Sequence, residues 1–440
     1  MATYVADAST IPYTPSVSRS FAWIVFALTF GLLISDYMSR QVLNAVFPVL
    51  KAEWGLSDTQ LGSLNSIVAL LVGMLSFPLS VLADRWGRVR SIVLMAGLWS
   101  LATMACALAE GYAQMFVARF FVGLGEAAYG SVGIALILSV FPPHLRSSLT
   151  AAFMAGGAMG SVLGMALGGV VATHLGWRWA FGAMAVFGLG LVVLYALIVT
   201  ERRLSVESVG AAKSGASESK GRMPCPGLRK LFGALFSSVS VVCAYIGSGL
   251  QLFVMASLIA WLPSYANRYY DLPPDRAGLV AAAFVLIGAI GMTCCGIITD
   301  RLSRTFAIRK WLIAMAYSVA SCALLLVGFH VPAGPMQFVI IGLGMFFVAG
   351  TTGPAGAMVA NLTHASIHAS AFATLTLANN LLGLAPGPFL TGFLADRIGL
   401  LPAMQLMPLS AVAASVAFAV GYRHYEADLA RMRMLHPHSH

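Results

Sequence analysis

Charge is what this chain lacks most, since only 10% of its 440 residues are Asp, Glu, Lys or Arg. A water-soluble domain carries roughly 25% charged residues, so this chain cannot cover a surface that faces water. Its hydrophobic fraction of 59% and its mean hydropathy of +0.85 indicate an integral membrane protein instead. The apolar stretches are continuous rather than alternating, which argues against a membrane β-barrel.

Other absences exclude further classes of function. The six cysteines show no metal-ligand spacing, so we expect no metal site. The sequence has no nucleotide-binding loop and no pairing of a nucleophile with a base, which argues against an enzyme. The net charge of +10 does not indicate a nucleic-acid partner, because basic residues crowd the cytoplasmic loops of membrane proteins. We therefore expect no cofactor and no nucleic acid.

The apolar stretches predict an all-α membrane protein with twelve transmembrane helices, because the length suits about twelve helices of about 20 residues. The first helix is expected to end before Pro48, and Ser57 with Gln60 has the spacing of a capping box that starts the second. The fifth carries glycines at every fourth position from Gly156 to Gly168, which predicts a close-packing helix face.

Polar stretches divide these helices into two groups of six. The predicted organisation is a cytoplasmic tail at 1–20, a six-helix bundle at 21–199, a cytoplasmic linker at 200–236, a second six-helix bundle at 237–422 and a cytoplasmic tail at 423–440. With the N-terminus in the cytoplasm, five of the 26 Lys and Arg residues fall in outer loops and two within spans, which leaves 19 on the cytoplasmic side. This asymmetry favours N- and C-termini that are both cytoplasmic.

The turn after the second span has a counterpart after the eighth. The sequence LADRWGR at 82–88 is matched 216 residues later by ITDRLSR at 298–304. The two groups of six are therefore interpreted as a parallel repeat. Transporters built in this way bind their substrate between the halves, near the middle of the membrane.

These paired turns, the central linker and the six-plus-six layout resemble the major facilitator superfamily over almost the whole chain. In that superfamily the turns form a cytoplasmic latch that stabilises the outward-facing state. The resemblance assigns this role to the charged residues Asp84, Arg85, Arg88, Asp300, Arg301 and Arg304. The alternative is that they are ordinary loop charges that set the topology.

Four charges lie inside predicted spans, where a bilayer does not solvate them. Asp36 and Arg40 are four residues apart in the first span, and Arg119 and Glu126 are seven apart in the fourth, so each pair shares a helix face. Residue counts place both arginines roughly 11 Å from the outer ends of their spans, with the acids deeper.

The residue types suggest an anion site coupled to a proton site. Guanidinium groups stay charged and offer a planar fork to carboxylates or phosphates. A carboxyl group in apolar surroundings has a raised pKa and can take up and release a proton. The alternative is that the four residues pair with each other and lock the first and fourth spans together.

The local sequences resemble the anion:cation symporters and the Spinster-like transporters. The stretches are DYMSRQVLN at 36–44 and RFFVGLGEA at 119–127. The resemblance implies substrate binding by Tyr37, Arg40 and Arg119, and proton coupling by Glu126. The family acid directly before the first arginine is Ser39 here, and we expect Asp36, nearly one helical turn earlier, to replace it as a proton-coupling residue.

Further substrate contacts are harder to assign. Asn44, two turns or less from Tyr37 and Arg40, is a candidate in the first span. The second half has polar residues but no confident membrane charge, and the candidates are Gln251 and Asn380. Each alone is more often an interhelical hydrogen bond than a ligand.

The leading interpretation is a proton-coupled symporter of a small organic anion, such as a carboxylate, with protons as the coupling ion. The chain is expected to be a multi-pass monomer in the cell inner (plasma) membrane. A Spinster-like carrier of a lysolipid or another amphipathic lipid is the second interpretation. A facilitator and a drug antiporter are further alternatives, although the fifth span lacks the proline common in antiporter motifs.

Overall fold

The computed structural model describes residues 18–142, 145–201, 236, 238–363 and 368–435. Within these residues the chain is all-helical and contains no strand. Most of the predicted tail 1–20 and of the linker 200–236 lies outside the described residues, as does the stretch 436–440. We use "first half" for the described residues up to 201 and "second half" for those from 236 onward.

Seven helices form the first half: α1 (Arg19–Trp54), α2 (Asp58–Trp86), α3 (Arg88–Ala107), α4 (Tyr112–Glu126), α5 (Tyr129–Val140), α6 (Arg146–Leu175) and α7 (Trp177–Ile198). Short connections, such as Gly87 with φ of 101° between α2 and α3, let successive helices reverse direction. The predicted capping box is confirmed, because the Ser57 and Gln60 side chains each bond the other's backbone at the start of α2.

The second half repeats this order: α8 (Val239–Tyr270), α9 (Pro274–Leu302), α10 (Arg309–His330), α11 (Pro335–Ala349), α12 (Thr352–Leu362), α13 (His368–Asn379), a π-helical turn (Asn380–Leu384), α14 (Pro386–Ile398), α15 (Leu400–Leu406) and α16 (Leu409–Leu435). Eleven helical segments of the described residues are long and apolar enough to cross a membrane. The charged stretch after 422 continues α16 without a break.

The predicted end of the first span before Pro48 is wrong. Helix α1 runs through Pro48 to Trp54, and α8 likewise runs through Pro263. A proline removes one helical hydrogen bond, but neighbouring helices in a membrane bundle can keep such a helix continuous.

Two predicted spans at equivalent places of the repeat, the fourth and the tenth, are each broken by a turn near their middle. The fourth breaks between α4 and α5 at Ala127 and Ala128, directly after Glu126. The tenth breaks between α11 and α12 at Gly350 and Thr351, directly after Ala349. The two halves therefore share this interruption as well as the duplicated turn.

The glycines of α6 form the close-packing face that their spacing predicts. A methyl group on Gly160 would lie 2.6 Å from the Ile34 carbonyl oxygen of α1, and one on Gly164 would lie 2.7 Å from the Met38 backbone. Backbones in such close contact hold α1 at a fixed rotation. One consequence is that the Tyr37 ring lies against Gly157.

The halves join most closely at one end of the molecule, where α1 ends and α2 begins. We call this the closed end, and we call the opposite end, where α1 begins, the terminal end. One apolar cluster crosses between the halves, with the rings of Phe47 and Trp261 5.5 Å apart. Two further clusters each belong to one half.

Candidate functional site

A cavity of about 360 Å³ lies between the two halves. This size is within the range of small-molecule sites, which are clefts of roughly 300–1,000 Å³. The first half contributes residues of α1, α2 and α6, and the second half contributes residues of α8, α9, α11, the π-helical turn and α14. The cavity is thus bounded by both copies of the repeat.

The polar side chains of the cavity all come from the first half. They are Tyr37, Arg40, Gln41, Asn44, Asn65 and Ser161. The lining residues of the second half are apolar throughout: Leu252, Met255, Ala256, Ile259, Ala260, Val285, Gly288, Ala289, Met292, Ala349, Leu384 and Pro388. We call these two surfaces the polar wall and the apolar wall.

Arg40 links the polar wall to the buried acids. Its Nη2 atom lies 2.6 Å from Oε2 of Glu126, whose side chain is fully buried, while the Arg40 side chain remains 21% exposed. The guanidinium carbon also lies 5.3 Å from the centre of the Tyr37 ring, within cation–π range. Arg40 therefore reaches both the cavity and the interior of the first half.

Asp36 lies behind Arg40 and beside Glu126. It is only 4% exposed and lies in the same buried group of charges as Arg40 and Glu126. Among the described residues, neither Oδ1 of Asp36 nor Oε1 of Glu126 receives a hydrogen bond. Ser39 does not compensate, because its hydroxyl donates to the Asp36 carbonyl oxygen at 2.8 Å.

Arg119 lies at the level of Arg40, as residue counts predicted, but it has a different surrounding from Arg40. It is fully buried and does not line the cavity. Its guanidinium donates to three backbone carbonyl oxygens, which belong to Ser39 at 3.2 Å, Arg40 at 3.4 Å and Leu64 at 3.4 Å. In this conformation Arg119 therefore fixes the backbone beneath Arg40 instead of facing an anion.

A row of side-chain amides completes the polar wall. Asn44 Nδ2 donates to Gln41 Oε1 at 2.6 Å, and Asn44 also accepts a hydrogen bond from Asn65. The sequence predicted Asn44 but missed Gln41 and Asn65. An Asn inside the otherwise apolar second span was the available signal for Asn65.

The two predicted residues of the second half lie away from the cavity lining. Gln251 is buried and donates to Ser321 at 3.4 Å. Asn380 donates to the Thr376 carbonyl at 2.9 Å, and its Cβ would lie 2.6 Å from a methyl group placed on Gly73 of α2. In this conformation both behave as interhelical packing residues.

The predicted latch residues lie at the terminal end and are mostly exposed. Asp84 and Arg88 form an ion pair of 3.5 Å within one chain segment, with side chains that are 68% and 41% exposed. Arg88 also donates to the Ala135 carbonyl at 3.2 Å, so it contacts α5. The remaining members, Arg85, Asp300, Arg301 and Arg304, are exposed.

The closed end carries a charge cluster that sequence reasoning missed. The buried Asp58 carboxylate accepts a hydrogen bond from Lys51 Nζ at 2.6 Å. It also accepts hydrogen bonds from both terminal nitrogens of Arg268, at 2.5 and 2.8 Å. Lys51 and Asp58 belong to the first half and Arg268 to the second. Asp396 of α14 then accepts hydrogen bonds from the Asp58 and Thr59 backbone nitrogens at 2.7 and 2.8 Å. The cluster joins the halves across this end.

Residues 29–386 match the model of the Major Facilitator Superfamily. The chain belongs to the major facilitator superfamily. The matched region includes the cavity lining up to Leu384 and the four charges Asp36, Arg40, Arg119 and Glu126. Membership establishes a multi-pass membrane transporter and not an enzyme.

Two relatives carry names of sugar-acid transporters. The chain is 24% identical to the hexuronate transporter of Bacillus subtilis, over 86% of this chain and 88% of that protein. It is 27% identical to the probable L-galactonate transporter of Escherichia coli, over 84% of this chain and 82% of that protein.

The fold matches that of a solved transporter structure. A bacterial homologue of the human lysosomal transporter Spinster, in an inward-facing and unoccupied conformation, superposes with a TM-score of 0.81 at 19% identity. The match covers 93% of this chain and 99% of that one. At this identity the likeness establishes the shared fold.

Proposed function

We propose that the protein is a secondary active transporter that moves a small organic anion, a carboxylate, together with protons by alternating access. The observation that carries the proposal is the contact of Arg40 with both the cavity and Glu126. The names of the hexuronate and L-galactonate transporters support an organic anion as substrate. The bacterial relatives support a location in the cell inner (plasma) membrane.

The proposed architecture has twelve membrane spans in two six-helix bundles, with both termini in the cytoplasm. The span that adds to the eleven long apolar segments is the eleventh in chain order, and it is the interrupted segment of α13, the π-helical turn and α14. In this orientation the closed end faces outward, and the duplicated turns with Asp84 and Asp300 face the cytoplasm. These turns act as a latch in the outward-facing state. The conformation in this structure is closed at its outer end and is therefore the opposite, inward-facing state.

Proton coupling follows from competition for Arg40. While Glu126 is ionised, one edge of the Arg40 guanidinium is bound to it at 2.6 Å. When Glu126 or the pair of carboxyl groups takes up a proton, the attraction weakens and Arg40 becomes available to a substrate carboxylate. Anion binding and protonation then favour each other, which is the condition for symport.

Substitution of the two acids tests proton coupling. We expect Asp36→Asn and Glu126→Gln to abolish uptake driven by a pH gradient in proteoliposomes while sparing counterflow exchange, because exchange needs no net proton movement. Glu110→Gln, an exposed acid away from the cavity, is the matched control. Uptake at the wild-type level in both site variants would show that the acids carry no proton.

Arg40 is tested separately from the acids. We expect Arg40→Ala to lower carboxylate affinity by roughly 10–100-fold, since a hydrogen bond to a charged group contributes about 1.5–3 kcal/mol. Titration calorimetry on purified protein measures this change, and the melting temperature reports whether the fold is retained. Unchanged affinity in a folded Arg40→Ala variant would remove Arg40 from the site.

A Spinster-like carrier of a lysolipid is the second candidate. The fold likeness to the Spinster homologue and the apolar wall favour it, because the apolar wall could hold an acyl chain. The discriminating measurement is proton entry into proteoliposomes under an imposed pH gradient. Carboxylates should stimulate proton entry under the first proposal and lysolipids under the second, whereas a facilitator would show neither.

A further inference from the structure

The polar and apolar walls are built from equivalent positions of the repeat. Pro263 of α8 follows Pro48 of α1 by 215 residues, and both prolines lie inside their helices. The same offset relates the lining residues of the two helices: Tyr37 to Leu252, Arg40 to Met255, Gln41 to Ala256 and Asn44 to Ile259. All eight residues face the cavity. The cavity-facing sides of α1 and α8 therefore occupy equivalent positions of the repeat, but the first is polar and the second is apolar.

The other helices of the second half do not restore polarity. Helix α9 contributes Val285, Gly288, Ala289 and Met292, and the eleventh span contributes Leu384 and Pro388. The polar residues Gln251 and Asn380 are engaged elsewhere, with Ser321 and with the Thr376 carbonyl. The apolar wall therefore continues from α8 across α9, Ala349 of α11 and the eleventh span.

The cavity also offers few positive charges. Arg40 is the cation among the residues that line it, and Arg119 is occupied by the carbonyl oxygens of Ser39, Arg40 and Leu64. A second carboxylate that pointed toward the apolar wall would have no cationic partner there. Desolvation of such a charge is strongly unfavourable.

We propose that the transported substrate is a monocarboxylate with an apolar body, held by its carboxylate at the polar wall and by its body against Leu252, Met255 and Ile259. This inference rests on the proposed function and narrows its substrate class. Arg40 and the amides of Asn44 and Asn65 receive the carboxylate. Met255, which occupies the position equivalent to Arg40, determines specificity for the other end of the molecule.

The apolar wall discriminates against polyhydroxylated acids. A hydroxyl placed against apolar side chains loses its hydrogen bonds to water without replacement, and a hydrophobic pocket disfavours one added hydroxyl by roughly 100-fold. A sugar acid carries several hydroxyls. The structure therefore separates this chain from the sugar acids named for its relatives.

A panel of matched acids tests the class directly. Titration calorimetry on full-length protein in detergent would compare benzoate and cyclohexanecarboxylate with D-glucuronate and terephthalate. We expect the first two to bind at least about tenfold more tightly than the others, because D-glucuronate carries hydroxyls and a ring oxygen and terephthalate carries a second carboxylate. Benzamide, which lacks the charge, should bind weakly.

A substitution on the apolar wall tests the position that sets specificity. Met255→Gln should reduce the preference for benzoate over D-glucuronate by about tenfold, since it provides a donor and an acceptor on that wall. Met255→Leu is the matched control and should keep the wild-type preference. Ile259→Asn gives the same readout on the next turn if Met255→Gln does not yield folded protein.

The outcomes separate this inference from the proposed function. Tighter binding of D-glucuronate or terephthalate than of benzoate would overturn the apolar-body inference and leave anion transport standing. Binding of no carboxylate, or of lysolipid alone, would overturn the proposed function and this inference with it. An unchanged preference in folded Met255→Gln and Ile259→Asn variants would show that the apolar wall does not select the substrate.

Discussion

Asp58 at the closed end and Asp84 at the terminal end are both acids next to basic side chains at a helix end, yet their surroundings differ. The Asp58 side chain is 3% exposed and pairs with Arg268 of the other half. The Asp84 side chain is 68% exposed and pairs with Arg88, four residues along. The first pair joins two halves of the molecule, whereas the second lies within a single turn.

The difference shows which charges hold this conformation. Burial and pairing across the halves make the Asp58 cluster costly to break, because a partner left behind is a poorly solvated charge. An exposed pair contributes little in water. The closed end should therefore respond strongly to single substitutions and the terminal end weakly.

The largest effect is expected from Asp58→Asn. It leaves Lys51 and Arg268 without their shared carboxylate, which should destabilise closure by about 3 kcal/mol. Spin labels at Ala52 and Tyr269 are both exposed at this end. Double electron–electron resonance between them should show an additional population at longer distances. Asp271→Asn is the control, since Asp271 is exposed with φ of 51° and Asn tolerates that conformation. Identical distance distributions in Asp58→Asn and wild type would contradict the role of this cluster.

A smaller effect is expected from Asp396→Ala. This substitution removes the carboxylate that accepts the Asp58 and Thr59 backbone hydrogen bonds at the start of α2. Loss of a helix cap costs about 1 kcal/mol, or roughly a fivefold change in a two-state equilibrium. The same labels should show a shift in the same direction but of lower amplitude than in Asp58→Asn. A larger shift in Asp396→Ala than in Asp58→Asn would mean that the helix cap stabilises the closed end more than the ion pair does.

The smallest effect on this conformation is expected from Asp84→Asn. Because the pair with Arg88 is exposed, its loss should change the melting temperature by no more than about 1 °C. If the turn forms the latch of the opposite state, the transport rate falls although the melting temperature does not. A drop of several degrees would mean that the terminal end is as tightly bound as the closed end.

Much of the fold could be predicted from the sequence because the patterns that specify it are local. Apolar stretches, the capping box at Ser57 and the four-residue spacing of the α6 glycines each depend on neighbouring residues. Pro48 misled because membrane helices tolerate a proline that would end a helix in water. The break after Glu126 was not predictable, since Ala127 and Ala128 favour helix.

The sequence predicted those parts of the candidate site that depend only on residue type and on depth in the membrane. Residue counts brought Asp36, Arg40 and Glu126 together, but helix rotation decided that Arg119 turns toward backbone carbonyls. The contact of Asp58 with Arg268 spans 210 residues and has no local signal. Rotation also placed Leu384 and not Asn380 on the cavity, although both belong to the same π-helical turn.

The interruption of the fourth span after Glu126 has a mechanical consequence. A continuous helix transmits a displacement along its axis, whereas a break at Ala127 and Ala128 lets α4 and α5 change their angle independently. A change in the ion pair between Glu126 and Arg40 therefore acts next to this break and is not transmitted along a continuous helix. The second half has the same kind of break after Ala349, but none of its described residues is a buried charge. Under the proposed coupling, protonation would therefore act on the break of the first half alone.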